Sequence, residues 1–230
     1  MKKIWGVVCL VGCVVLWGSA PVGADENDDQ ADSVGLTTAQ ASAIFRACQE
    51  VAGKTRSPIR GTAGTKMWCA VVDREGRLLL IRATDTGGSP ASPGGSDAWR
   101  GSIEIAMAKA YTAVAFSSND APLDSKTIGL LARPDGPGST APAAIGTNAG
   151  VAPLFGLGNT NPFRPLTGLG ALDDRTGLRH HGIVTFAGGQ PVYRCGGVLL
   201  GAVGVSGDGV DQDDTVAKGA VTGAGFCTAP

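Results

Sequence analysis

Apolar residues recur along this chain in two rhythms, and the switches between them mark its elements. Ala41, Ile44, Phe45, Cys48, Val51 and Ala52 return at three- and four-residue spacing, which predicts an amphipathic helix. Thr37 stands before it as N-cap with Gln40 at N3, a capping box, and Gly53 is placed to end it. Met67–Val72 and Arg77–Ala83 read as strands around a turn at Asp73–Gly76. The unbroken apolar run Leu78-Leu79-Leu80-Ile81 suits a strand covered on both faces. Helical spacing resumes at Ile103, Ala106, Met107, Ala110, Tyr111 and Val114, within a predicted helix from Asp97 to Phe116. A shorter helix is predicted over Asp124–Arg133, stopped by Pro134. Three strands come late, Ile183–Ala187, Pro191–Cys195 and Gly197–Val205, the first two flanking Gly188-Gly189. A last helix starts at Asp211, with Asp213 and Asp214 in its positive first turn, and runs to about Val221. Hairpin-linked strands with helices before, between and after them predict an α+β sandwich built on an antiparallel sheet.

Between the helices and the third strand, residues 133–182 lose both rhythms. They hold ten glycines and six prolines, yet Ile145, Val151, Leu154, Phe155, Leu157, Phe163, Leu166, Leu169 and Leu172 punctuate them. A solvated linker does not carry so many large apolar side chains. Ordered loops this long are usually lids or binding loops, so this insertion is read as a packed excursion over one side of the sheet.

The first residues read as an address. Lys2 and Lys3 precede an apolar stretch from Ile4 to Trp17, and Val22-Gly23-Ala24 offers small residues at a cleavage point, the pattern of a signal peptide over 1–24. Leu10-Val11-Gly12-Cys13 also resembles a lipobox, through which Cys13 would anchor a lipoprotein. An acidic leader, 25–35, separates this segment from the domain at 36–230. Export, to the periplasm or beyond, is the expectation. Cleavage after Ala24 would remove Lys2 and Lys3 and take the net charge from −1 to −3.

Export changes how the cysteines read. Cys48, Cys69, Cys195 and Cys227 would remain, an even set in an oxidising compartment, so two disulfides are expected. Folding the first helix back onto the first strand brings Cys48 to Cys69. Running the last helix back along the sheet brings Cys227 to Cys195. The mature chain has no Cys-x-x-Cys, which removes the thioredoxin-like and zinc-ribbon readings.

With 43% hydrophobic residues among 230, the chain can fill a core. Its near-neutral charge and 5% aromatics give neither the electrostatic footprint nor the stacking platforms of a nucleic-acid binder. Several catalytic motifs fail on inspection. Gly204-Val205-Ser206-Gly207-Asp208 lacks the last glycine of a nucleophile elbow. Asp208, Asp211, Asp213 and Asp214 resemble calcium ligands but lack the glycine and distal glutamate of an EF-hand loop, and read as a turn and helix start. His180 and His181 are the only histidines, and either could ligate haem iron. Neighbours on an extended segment point to opposite sides, so the two do not readily share one ion. Arg82 and Asp85, at the exit of the second strand, either pair with each other or meet a ligand acid.

Taken together, Val71-Val72-Asp73-x-x-Gly76-x-Leu78, Lys109-Ala110-Tyr111-Thr112-Ala113, Gly188-Gly189-Gln190-Pro191-Val192, Gly201-Ala202-Val203-Gly204-Val205-Ser206-Gly207 and Asp213-Asp214-Thr215-Val216-Ala217 resemble the GlcG/HbpS-like family of haem-binding or haem-degrading proteins. The resemblance covers about 36–118 and 182–222; the long link at 133–182 departs from it. It implies a five-strand antiparallel sheet, a homo-oligomer, and haem as cofactor, with Thr112 marked by the threonine of the family's K-A-x-T-A block. Thr112, His180, His181 and Arg82 are therefore the candidate ligand-binding residues, and His180 and His181 the candidates for iron. The expectation is an exported protein binding a small ligand, haem or a related tetrapyrrole. The alternatives are an accessory protein of a periplasmic redox system, working with a redox partner, and a haem-degrading enzyme.

Overall fold

Thr37 begins the order of the domain as the sequence predicts. Its hydroxyl accepts from the Gln40 amide at 3.2 Å, and its own amide donates to Gln40 Oε1 at 2.8 Å. Two otherwise unpaired amides at the start of helix α1 (Thr38–Lys54) are thereby satisfied. Gly53 does not end that helix; it continues to Lys54 with Thr55 as its cap. The structure, a computed structural model, describes residues 35–86, 95–132 and 182–230. All of these fall in the unit Ser33–Pro230, one of two into which the chain divides. The expected signal peptide and the leader up to residue 34, residues 133–181 of the insertion, and with them His180 and His181, lie outside the described residues.

Strands β1 (Trp68–Asp73) and β2 (Leu78–Ala83) form the expected hairpin. Its turn is held by Asp73, whose Oδ1 accepts from the amides of Glu75 and Arg77 at 3.0 and 2.8 Å, with Gly76 at φ +80°. Helices α2 (Ser102–Ala115) and α3 (Ser125–Leu131) follow. Asp124 caps α3 by accepting from the Thr127 amide at 2.6 Å. Then come β3 (Gly189–Arg194), β4 (Val198–Ser206) and α4 (Val210–Gly223).

The described strands form one antiparallel sheet in the order β2-β1-β4-β3. Successive side chains on β1 face opposite layers. Cys69 and Val71 join Ile44, Phe45, Val216 and Ala220 in a core beneath α1 and α4. Ala70 and Val72 join Ala106, Met107, Ala110 and Ala113 beneath α2. The result is an α+β domain whose sheet is covered on both faces, which accounts for the apolar runs along its strands.

Four strands are found among the described residues where five were expected. Ile183–Ala187 does not join the sheet: the Val184 amide is bonded to a side chain of α2 and the Phe186 carbonyl to a side chain of α3, as set out below. Gly188-Gly189 is accordingly the entry to β3, not a hairpin turn.

The cysteines separate into two kinds. Cys195 and Cys227 form a disulfide with Cα atoms 5.2 Å apart. Beside it the Tyr193 amide donates to Cys227 O at 2.8 Å and the Cys227 amide to Tyr193 O at 3.0 Å. The C-terminal tail thus lies along the outer edge of β3, where unpaired backbone groups would otherwise invite another strand. The expected Cys48–Cys69 bridge is absent. Both residues are fully buried free thiols between α1 and β1. Hydrogen bonding with Cys69, followed by burial, pushes the Cys48 thiol well above its ordinary range. Packing has brought the two thiols together without a covalent bond between them.

Candidate functional site

Helix α2 lies on the sheet by means of small residues, with Ala106, Ala110 and Ala113 fully buried. Two polar side chains on the same helix, one turn apart, are also fully buried: Lys109 and Thr112. Both face the segment Gly182–Ala187, which returns from the insertion towards β3. The Thr112 hydroxyl donates to Ala108 O at 2.7 Å and accepts from the Val184 amide at 2.9 Å. One turn earlier, Lys109 Nζ donates to Asp213 Oδ2 at 2.6 Å and to Val205 O at 2.9 Å. The Phe186 ring caps the ammonium, its centroid 4.9 Å from Nζ, with 42% of Phe186 exposed to solvent.

Burial governs the electrostatics of this pair. Desolvation pushes the Lys109 ammonium below the ordinary lysine range, against the pull of Asp213. Desolvation likewise pushes the Asp213 carboxyl up, although Lys109 and the Asp208 amide favour its charged form. The pair lies at the α4 N-terminus, where each group is the other's main counter-charge and both are hydrogen-bonded.

The neighbouring acids are committed too. Asp214 Oδ1 accepts from Gln190 Nε2 at 2.8 Å and its Oδ2 from Lys218 at 2.9 Å. Asp208 accepts from the Ser57 hydroxyl. No group of three or more His, Cys, Asp or Glu among the described residues is placed to hold a metal ion. Asp211 and Asp213 stand in the first turn of α4, and Asp213 and Asp214 form ion pairs with Lys109 and Lys218.

Ser125, at the start of α3, completes the cover over α2. Its hydroxyl donates to Phe186 O at 2.7 Å and accepts from the Gly189 amide at 2.9 Å. One turn on, a Cβ on Gly129 would fall 2.0 Å from Thr185 O, so only glycine lets the segment lie this close to the helix.

Of the residues singled out in the sequence, Thr112 lies at the centre of this arrangement. Arg82 does not join it. It pairs with Cys69 across β1–β2 and lies 5.9 Å from the centroid of the Phe45 ring, on the α1 side of the sheet. The sheet itself separates it from Thr112. Asp85 is engaged elsewhere, accepting from Ser96 Oγ at 2.5 Å and the Asp97 amide at 2.8 Å. His180 and His181 lie outside the described residues.

Lys109, Ser125, Gly129, Phe186 and Asp213 escaped the sequence reading as site residues. One signal was available: Lys109 stands between Ala108 and Ala110 in an apolar helix whose only other charge is Glu104. A lone lysine so placed must be buried with a partner or break the face.

For haem, the fit in this conformation is incomplete. Thr112 could offer iron only a hydroxyl oxygen, and that oxygen is fully buried, with its hydrogen and one acceptor position already used.

No curated protein gives a significant match to the chain. Among solved structures, the Klebsiella pneumoniae protein ORFY is 24% identical, over 82% of this chain and 90% of that one, with a TM-score of 0.51. A PduOC:heme complex is 23% identical, over 85% and 99%, also with a TM-score of 0.51. At these identities the likeness establishes a shared fold, the α+β sheet described above. Residues 36–222 match the model of the family described as haem degrading protein HbpS-like, and the chain belongs to that HbpS-like family.

Proposed function

We propose that this is an exported haem-binding protein whose ligand site lies on the α2 face around Thr112. The observation that carries the reading is membership of the HbpS-like family across residues 36–222, a match that spans the K-A-x-T-A block. The heme named for the PduOC structure, which shares the fold, supports a tetrapyrrole as ligand. Thr112 is central to the described site, and His181 precedes Val184, the residue bonded to Thr112, by three positions in the chain. Imidazole is the stronger iron donor, so His180 and His181 stand beside Thr112 as candidate ligands. Export rests on the N-terminal pattern, and the disulfide at the β3 edge agrees with an oxidising compartment. A homo-oligomer and a periplasmic redox partner are the further expectations of the family reading.

Haemin titration of the purified full chain tests the proposal. Binding gives a shifted Soret band that Thr112→Ala, His180→Ala or His181→Ala alters in position or affinity. Unchanged spectra in all three variants would reject these ligands, and the absence of any Soret shift would reject haem binding. Loss of the band with release of iron, in the presence of a reductant and oxygen, would identify the haem-degrading alternative.

A further inference from the structure

The segment Gly182–Ala187 covers the α2 face without belonging to the sheet. We propose that it is a displaceable strap gating the site, and that Ser125 sets how firmly it is held; the proposal rests on the reading that Thr112 belongs to the ligand site. Strands β1 to β4 are held by backbone ladders, whereas the described attachments of this segment come mainly from side chains. The Val184 amide donates to Thr112 Oγ1, and Phe186 O accepts from Ser125 Oγ. Ser125 Oγ also accepts from the Gly189 amide, so a single hydroxyl ties the segment to the first residue of β3.

Gly188 lies between these points at φ +112°, and its carbonyl accepts from the Val205 amide at 2.8 Å. Beyond that anchor the chain is in the sheet; before it, the hydrogen bonds that hold the segment among the described residues are those to the Thr112 and Ser125 hydroxyls. A net hydrogen bond shifts such an equilibrium by roughly tenfold, so local release is far easier than opening the sheet. Val184 and Ala187 are buried and add to the hold, while Phe186 turns its ring partly to solvent over Lys109.

Release of the strap would free the Thr112 hydroxyl from Val184 and expose the α2 face. That resolves the misfit between a buried Thr112 and a large planar ligand: the closed form is the resting state, and ligand binds the open form. The apparent affinity is then reduced by the fraction of molecules closed, and the association rate follows strap opening. Ser125 is a positioning residue in this scheme, acting on the ligand site only through the strap.

Two variants of the full chain test it: Ser125→Ala, which removes the tie, and Gly129→Ala, whose methyl would push against Thr185 O. Amide hydrogen exchange at Val184 is measured without ligand, with the Val203 amide of β4 as reference. Haemin association is followed by stopped flow. Ser125→Ala is expected to speed Val184 exchange about tenfold and haemin association by a similar factor. The Val203 amide and the Soret maximum at saturation should stay as in the wild type. Gly129→Ala should act in the same direction. Val184 exchange that tracks Val203 in both variants would overturn the strap. Faster Val184 exchange with unchanged haemin association would overturn its role as a gate. If no form of the chain binds haemin, the ligand reading fails and gating with it, while exchange at Val184 still reports whether the strap opens.

Discussion

A Cβ placed on Gly204 would lie 2.0 Å from the carbonyl oxygen of Ala106. Helix α2 therefore rests on the backbone of β4, and the absence of a side chain at this one position sets how closely the Thr112 helix meets the sheet. Gly204→Ala is expected to force the layers apart and cost at least 2–3 kcal/mol, or to prevent folding. Gly53 is the control: a Cβ there meets nothing within 4 Å, and the residue lies in the last turn of α1. Gly53→Ala should stabilise by about 0.5–1 kcal/mol. Urea denaturation of both variants checks the contrast.

Lys109 and Asp213 are 104 residues apart in sequence and 2.6 Å apart in space, with side-chain exposures of 0% and 3%. Lys109→Met would leave a buried carboxylate without its counter-charge and is expected to destabilise by roughly 3–5 kcal/mol. The double variant Lys109→Met/Asp213→Asn removes both charges and should recover most of that loss. A double-mutant cycle read by chemical denaturation measures the coupling.

The Tyr193 hydroxyl donates to Ser118 O at 2.6 Å, and burial raises its phenol pKa above the ordinary 10.0. Above about pH 10 the unfolded chain loses this proton while the folded protein keeps it, so the unfolded state binds fewer protons and stability falls as pH rises. The fall begins near the unfolded pKa and ends once the folded group also ionises. Tyr193→Phe should flatten the alkaline limb of a plot of urea midpoint against pH between about 8 and 11.

The Cys195–Cys227 disulfide spans 32 residues and pins the C-terminal tail to β3. Replacing both cysteines by alanine is expected to cost about 3–4 kcal/mol in the chain-entropy picture. The β3 edge should also become accessible. Thermal unfolding with and without reductant, and light scattering of the reduced protein, test the two effects.

Much of the fold was legible because its signals are local. The Thr37–Gln40 box, the spacing along α1 and α2, the Asp73–Gly76 turn and the apolar strands each depend on residues within a turn or two of one another. The last helix was legible with its acidic first turn, but not its cap: Asp211 was expected to cap it, whereas α4 starts at Val210 behind Gly209 and no side chain caps it.

The sequence by itself determined the helices, four of the five expected strands, the α+β class and the antiparallel hairpin, and its resemblance to a family marked Thr112 as a residue to follow. Only the tertiary structure decided where the polar groups went. Ile183–Ala187 has the pattern of a strand, but the Val184 amide is bonded to the Thr112 hydroxyl, 72 residues away, and not to a neighbouring strand. Arg82 shares a sheet with the α2 layer yet emerges on its opposite face, because alternation along β2 places it with Phe45. Cys48 and Cys69 are brought together by helix packing, which fixes their proximity and leaves their covalent state open to chemistry. Periodicity specifies which face of an element is apolar. It does not specify which distant donor answers a given acceptor, and that choice, made only when the layers close, built the site around Thr112 and Lys109.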